Sequence, residues 1–157
     1  MKTTRSSGHG HAALRRGRTS TAGQIYLVTF TTHNRCRLFA DPARAMTAAR
    51  ALVDPRCWTR SHLLAWVLMP DHWHGLVALG EDDALPALIR RIKTSTARCV
   101  RRDQRHAGPV WARAYHDHAL RKEEDLLGAA RYLVMNPVRA GLVRRCGWYP
   151  YWDAVWL

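Results

Sequence analysis

Two histidines separated by one residue, in Met69-Pro70-Asp71-His72-Trp73-His74, and a tyrosine and an asparagine four apart, in Arg131-Tyr132-Leu133-Val134-Met135-Asn136-Pro137, are the residues with the most chemistry to offer. Alternate side chains of a β-strand share a face, so His72 and His74 can grip one metal ion. Tyr132 and Asn136 lie one above the other if their segment is a helix. Two imidazoles, an amide oxygen and a phenol are the parts needed to cut a phosphodiester through a covalent tyrosyl intermediate.

Two imidazoles and one side-chain oxygen leave positions open on a divalent ion. That suits Mg²⁺ or Mn²⁺ bound jointly with a phosphate better than a closed zinc site. A phenol titrates near ~10 in water, so it needs the cation or a nearby base to ionise at neutral pH. A histidine pair at this spacing arises easily by chance in a chain with nine histidines, so its setting matters. Trp73, Gly75, Val77 and Leu79 give the opposite strand face to the core, and both imidazoles then project from a rigid element. His116 and His118 form a second same-face pair if residues 110–120 are a strand. Either is an alternative ligand, a base for Tyr132, a phosphate contact or a structural histidine.

The elements that must position these groups follow from periodicity. Ile25 to Thr32 is β-branched and aromatic and reads as a first strand. Asp41-Pro42 is a helix cap followed by a first-turn proline, and Ala45, Met46, Ala49 and Leu52 or Val53 recur at helical spacing. His62 to Met69 is apolar on both faces, as for a central strand, and Pro70-Asp71 turns it into a returning strand, His72 to Leu79. Leu85, Leu88, Ile89, Ile92 and Val100 line one side of a long helix whose other side carries Arg90, Arg91, Lys93, Arg98, Arg101 and Arg102. Val110 to Leu120 reads as a fourth strand. Glu123, Glu124 and Asp125 then favour a helix start, and Leu126, Leu127, Ala130, Leu133 and Val134 form the apolar stripe. At about 100° per residue Tyr132 points roughly 160° away from that stripe, with Gly128 and Asn136 on its own side. It is not a core residue of its helix. The order β-α-β-β-α-β-α predicts an α+β fold, a ferredoxin-like split βαβ with an antiparallel sheet and an additional C-terminal helix bearing the tyrosine.

At 157 residues the chain predicts one domain, residues 24–157, behind a flexible basic arm, residues 1–23, centred on Arg15, Arg16 and Arg18. Lysine and arginine number 25 against 12 acidic residues, a formal charge of +13, and a polyanion is the natural partner. The arm and the cationic helix face, with Arg90 and Lys93, are the expected phosphate contacts. Four isolated cysteines, Cys36, Cys57, Cys99 and Cys146, fit a reducing cytoplasm, with the nucleoid as the site of a DNA-binding chain. No apolar run approaches the ~20 residues of a membrane span.

These segments together resemble the REP-associated tyrosine transposases, within the single-tyrosine HUH transposases. Leu14-Arg15-Arg16-Gly17-Arg18 with Gly23 and Tyr26-Leu27-Val28-Thr29 resembles the family's N-terminal signature. Ala65 through His74 resembles its HUH strand pair, Trp111 with Tyr115 through Arg121 its fourth-strand segment, and Tyr132 through Asn136-Pro137-Val138-Arg139-Ala140-Gly141-Leu142-Val143 its tyrosine helix and the turn beyond. The resemblance implies metal-dependent nicking and strand transfer of single-stranded DNA at palindromic repeats that form hairpins. His72 and His74 would be metal ligands, Asn136 the third, and Tyr132 the nucleophile of a 5′-phosphotyrosine intermediate. The chain would act as a monomer or a homodimer. Two other classes share these residues: a hairpin-binding regulator with a fossil active site, and a metal hydrolase that uses water.

Overall fold

A computed structural model describes residues 20–121 and 125–156. Its elements in chain order are β1 (Ile25–Thr31), α1 (Pro42–Leu52), β2 (His62–Met69), β3 (His72–Ala78), α2 (Leu85–Asp103), β4 (His116–Ala119), α3 (Leu126–Val134), α4 (Asn136–Arg139) and β5 (Trp152–Ala154), joined by short 3-10 turns. The sheet order is β4-β1-β3-β2-β5, with every neighbouring pair antiparallel. The first four strands and two helices are the expected split βαβ.

Local chemistry explains the main boundaries. The Asp41 carboxylate accepts from the Arg44 amide at 2.9 Å and Pro42 opens α1, as the dipeptide predicts. The β2–β3 hairpin turns on Pro70-Asp71 alone. Helix α2 begins without a side-chain cap of its own. Instead the Ser20 hydroxyl accepts from the Leu85 amide at 3.2 Å. Gly23, at φ 73°, donates its amide to the Leu79 carbonyl at 2.8 Å. Residues 20–23, expected in the arm, are therefore tied to the domain, because their backbone donors and the Ser20 oxygen find partners on it. Arg15, Arg16 and Arg18, like Glu123 and Glu124, lie outside the described residues.

Two further expectations are corrected. The fourth strand is only Ala119 back to His116. Upstream of it the chain touches β1 through an isolated bridge, Thr32 to Trp111. The C-terminal segment, read without a strand, supplies β5, which pairs with the free edge of β2 through Ala65 and Ala154, Trp66 and Asp153, and Val67 and Trp152. A three-residue strand carries too little alternation to show a period, and only the open sheet edge makes it one.

The sheet separates two cores. On one face Val28, Phe30, Trp66, Leu68, Trp73 and Val77 pack against Ala45, Ala48 and Leu52 of α1 and Leu88, Ile89 and Ile92 of α2. On the other, Ala65, Val67, Met69 and Leu76 pack against Ala130, Leu133 and Val134 of α3, with Tyr149 and Ala154. Trp73 anchors the first core, fully buried and stacked on Phe30 at 4.8 Å between ring centroids. Its indole lies across Gly75, where an added Cβ would meet Trp73 ring atoms at 1.9, 2.3 and 2.7 Å. Gly75 thus exists to let the indole of Trp73 lie flat along the strand. We expect Gly75→Ala to lower unfolding free energy by about 1–3 kcal/mol, since a sealed indole cannot give way. Urea denaturation checks this, and a midpoint equal to wild type would contradict the packing.

Candidate functional site

Residues paired directly across an antiparallel sheet project to the same face. Thr31 pairs with His72 and Thr29 with His74 in β3, while Thr29 pairs with His116 and Leu27 with His118 in β4. The four histidines therefore lie on one face, the face that α3 partly covers. His72 and His74 sit on the central strand and His116 and His118 on the edge strand two places away, so His116 stands about 10 Å from His74. Trp73 faces the opposite core, as its alternation predicts.

The two central imidazoles meet edge to face, with ring centroids 4.7 Å apart. Each is held from behind. The Nδ1–H of His72 donates to the Asp71 carboxylate at 2.6 Å, and Nδ1 of His74 shares a 2.6 Å hydrogen bond with the Thr29 hydroxyl. Asp71 also pairs with Arg35 at 3.8 Å. In the tautomer that donates from Nδ1, each ring keeps its Nε2 lone pair for an electrophile, the arrangement in which ligating histidines are usually oriented. His74 is pushed down to about 4 by burial first, then by the charges of His72, Arg139 and Arg35, against a smaller upward pull from Asp71. Its ring is neutral at neutral pH, as a ligand must be.

Tyr132 projects from α3 into solvent, 65% exposed, while Ala130, Leu133 and Val134 are buried. The outward direction read from the helical wheel is observed. Leu127, placed in the apolar stripe, is instead 40% exposed. The helix ends at Val134, so Tyr132 and Asn136 belong to successive helices, with Asn136 opening α4. They are joined nonetheless. The Arg139 guanidinium lies over the Tyr132 ring at 3.7 Å from its centroid, donates from Nη1 to the Tyr132 carbonyl at 2.6 Å and from Nη2 to Asn136 Oδ1 at 2.9 Å. Asn136 Nδ2 donates to the Leu133 carbonyl at 3.0 Å, and with one bond from Arg139 its amide oxygen has capacity for a second. The last carbonyls of α3 all find donors: Arg131 from the Met135 amide, Tyr132 from Arg139, Leu133 from Asn136, and Val134 from Cys146 Sγ at 3.3 Å.

Helix α3 packs on β2 and β3, and α4 on β2, so the tyrosine-bearing elements sit over the hairpin that carries the histidine pair. The donor set fits a divalent ion in this respect: two preoriented nitrogens on a rigid strand, an amide oxygen within the facing elements, and positions left for phosphate and water. Among the described residues no cluster of three or more His, Cys, Asp or Glu side chains is placed to hold a metal ion.

On the opposite face, α2 and residues 109–115 border an open groove of about 930 Å³ lined by Arg90, Arg98, Arg101, Arg102 and Arg113. Arg90 is exposed there. Lys93 has a different task, since its ammonium donates to the carbonyls of Ala112 at 2.9 Å and Ala114 at 2.8 Å and lies 5.0 Å from the Phe30 ring centroid. It pins the strand-like segment before β4, and the arginines carry the outward charge of this face. Arg91 likewise turns inward, to Asp83 at 2.8 Å and to the Cys57 carbonyl at 2.9 Å.

A family model described as "Transposase IS200 like" matches residues 20–132, which contain β1 through Tyr132. The chain belongs to that family. Among IS200-like transposases, the REP-associated tyrosine transposase of Escherichia coli strain K12 is 30% identical over 89 residues, 55% of this chain and 50% of that protein. A Haemophilus influenzae relative is 31% identical over 99 residues, 56% of each chain. The chain spans about half the length of these curated relatives. A solved structure of a REP-associated tyrosine transposase bound to a REP hairpin superposes with a TM-score of 0.66 at 23% identity, covering 86% of this chain and 79% of the other. That likeness establishes the fold. The resemblance to REP-associated tyrosine transposases read from the sequence is thereby met on sequence and fold alike. Among the described residues no helix is long and apolar enough to cross a membrane.

Thr29, Asp71, Arg35 and Arg139 were not assigned roles from the sequence. Strand register, which no local pattern discloses, brings Thr29 to His74. Arg139 had a legible signal, since seven residues past Tyr132 is two helical turns and nearly the same direction.

Proposed function

We propose that this IS200-like transposase nicks single-stranded DNA at or beside palindromic repeats that form hairpins, and rejoins strands, through a 5′-phosphotyrosine on Tyr132. The observation that carries the reading is the exposed phenol on a helix packed over the hairpin whose two imidazoles are each tied back at Nδ1. Kinship with a protein solved on a REP hairpin supports hairpin DNA as the substrate class.

In the forward step the Tyr132 oxygen attacks phosphorus, the P–O3′ bond breaks, and the electron pair leaves with O3′. The proton lost by the phenol is balanced by one gained on the departing oxygen. The products are a 3′-hydroxyl and a tyrosyl 5′-phosphodiester. The phosphoester bond is conserved, so a 3′-hydroxyl can reverse the step and join strands without ATP. His72 and His74, with Asn136 as the third donor, would hold Mg²⁺ or Mn²⁺, which polarises a phosphate oxygen and offsets its developing charge. Asp71 and Thr29 fix the two rings so that no reorganisation is needed when the phosphate arrives. The outward arginines of α2 contact phosphates of the hairpin stem.

The test is incubation with single-stranded repeat hairpins from the chain's own genome, with Mg²⁺ or Mn²⁺ and with chelator. A denaturant-resistant DNA–protein adduct is expected only with metal. Metal-dependent cleavage without an adduct would mean that water is the nucleophile. Tight hairpin binding with neither cleavage nor adduct would mean a regulator derived from a transposase.

A further inference from the structure

We propose that Arg139 is the positioning residue for the nucleophile, holding the Tyr132 ring and the Asn136 amide in one arrangement. This rests on the tyrosyl chemistry just described, and it assigns a function to a side chain outside the usual trio of ligands and nucleophile.

A tyrosine that is 65% exposed has little packing to select its rotamer. Nucleophilic attack nevertheless requires the oxygen to stand in line with the scissile bond, and a misplacement of about 1 Å can cost on the order of 10²-fold in rate. Arg139 supplies the missing restraint. Its planar guanidinium is fixed at two nitrogens by acceptors on different residues, the Tyr132 carbonyl at 2.6 Å and Asn136 Oδ1 at 2.9 Å. Its π-face is then set against the Tyr132 ring at 3.7 Å. A lysine could neutralise the carbonyl but could not span both acceptors and stack at once. The same bond holds Asn136 Oδ1 in place, so the orientation of the phenol and of the third candidate ligand are coupled through one group.

A simple helix-capping role is the alternative, because the Tyr132 carbonyl is one of the terminal acceptors of α3. The experiment separates the two. Single-turnover adduct formation is measured at saturating hairpin DNA for wild type, Arg139→Ala and Arg139→Lys, below the unfolding temperature of each. The same proteins carry 3-fluorotyrosine at position 132 for ¹⁹F NMR without DNA. Arg139→Ala is expected to slow adduct formation on the order of 10²-fold with hairpin affinity nearly unchanged. Arg139→Lys should recover less than a tenth of the loss, and added guanidinium should restore part of the activity of Arg139→Ala. The fluorotyrosine resonance should shift and narrow when the stacked group is removed. Equal rates for Arg139→Ala and wild type, or full rescue by lysine, overturn the proposal. So does an unchanged fluorine resonance, which reads the restraint even if wild type itself forms no adduct. Absence of an adduct in wild type counts against the tyrosyl chemistry alone.

Discussion

Tyr132→Phe is expected to abolish the denaturant-resistant DNA adduct while leaving the fold and hairpin binding as they are. The substitution removes one oxygen, the proposed nucleophile, and a phenyl ring cannot form a phosphoester. Its structural cost is small for two reasons. The ring is 65% exposed, so no sealed packing is disturbed, and surface changes of this kind stay within about 0.5 kcal/mol. The Arg139 stack also survives, because a guanidinium binds the face of phenylalanine as it does that of tyrosine. Denaturing gel electrophoresis of labelled hairpin substrate reads the adduct, and thermal unfolding with a mobility shift reads the controls. An adduct of undiminished yield in the phenylalanine variant would remove Tyr132 from the chemistry altogether.

The histidine pair should give an effect of similar size through a different route. His72→Ala and His74→Ala each delete one of two rigid donors, and the ion that would polarise the phosphate loses half of its imidazole ligation. Losing several kcal/mol of transition-state charge stabilisation corresponds to at least about 10²-fold in rate. Both variants are expected to fall to the level that wild type shows with chelator, and Mn²⁺ binding followed by electron paramagnetic resonance should weaken in parallel. Full adduct yield in His74→Ala at limiting Mn²⁺ would rule out the pair as ligands. The residues behind the rings provide a graded version. Thr29→Val removes the hydrogen-bond partner of His74, and Asp71→Asn replaces the carboxylate behind His72 with a neutral amide, in both cases without touching Nε2. Such supporting contacts are typically worth about 10–100-fold in metal affinity or activity. Intermediate losses that are partly recovered at high Mn²⁺ would mark them as orienting groups.

The opposite core bears on both predictions. His72 and His74 stay in register because Trp73 between them is buried completely against Phe30, and a strand slip of one residue would exchange indole for imidazoles. The same apolar anchoring that stabilises β3 therefore fixes the direction in which its histidines point. Gly75, kept small beneath that indole, belongs to this device although it faces away from the site.

Much of this could be read along the chain because it depends on short-range periodicity. Alternation around Trp73 assigned the two histidines to one face, the helical angle turned Tyr132 outward, and Asp41-Pro42 started α1. The element order through α3 predicted the split βαβ sheet. Each of these follows from the 2.0- and 3.6-residue repeats and from capping chemistry, which act within a few residues. Only the tertiary structure decided that Thr29 lies opposite His74, since register is a pairing between segments 45 residues apart. It alone closed β5 on the edge of β2, returned residues 20–23 to the domain, and turned Lys93 from a surface cation into a clasp on Ala112 and Ala114. The division of the tyrosine segment into α3 and α4 at Met135 belongs with these. Sequence patterns report which way a side chain leaves its own element, whereas what it meets there depends on where another element has come to rest.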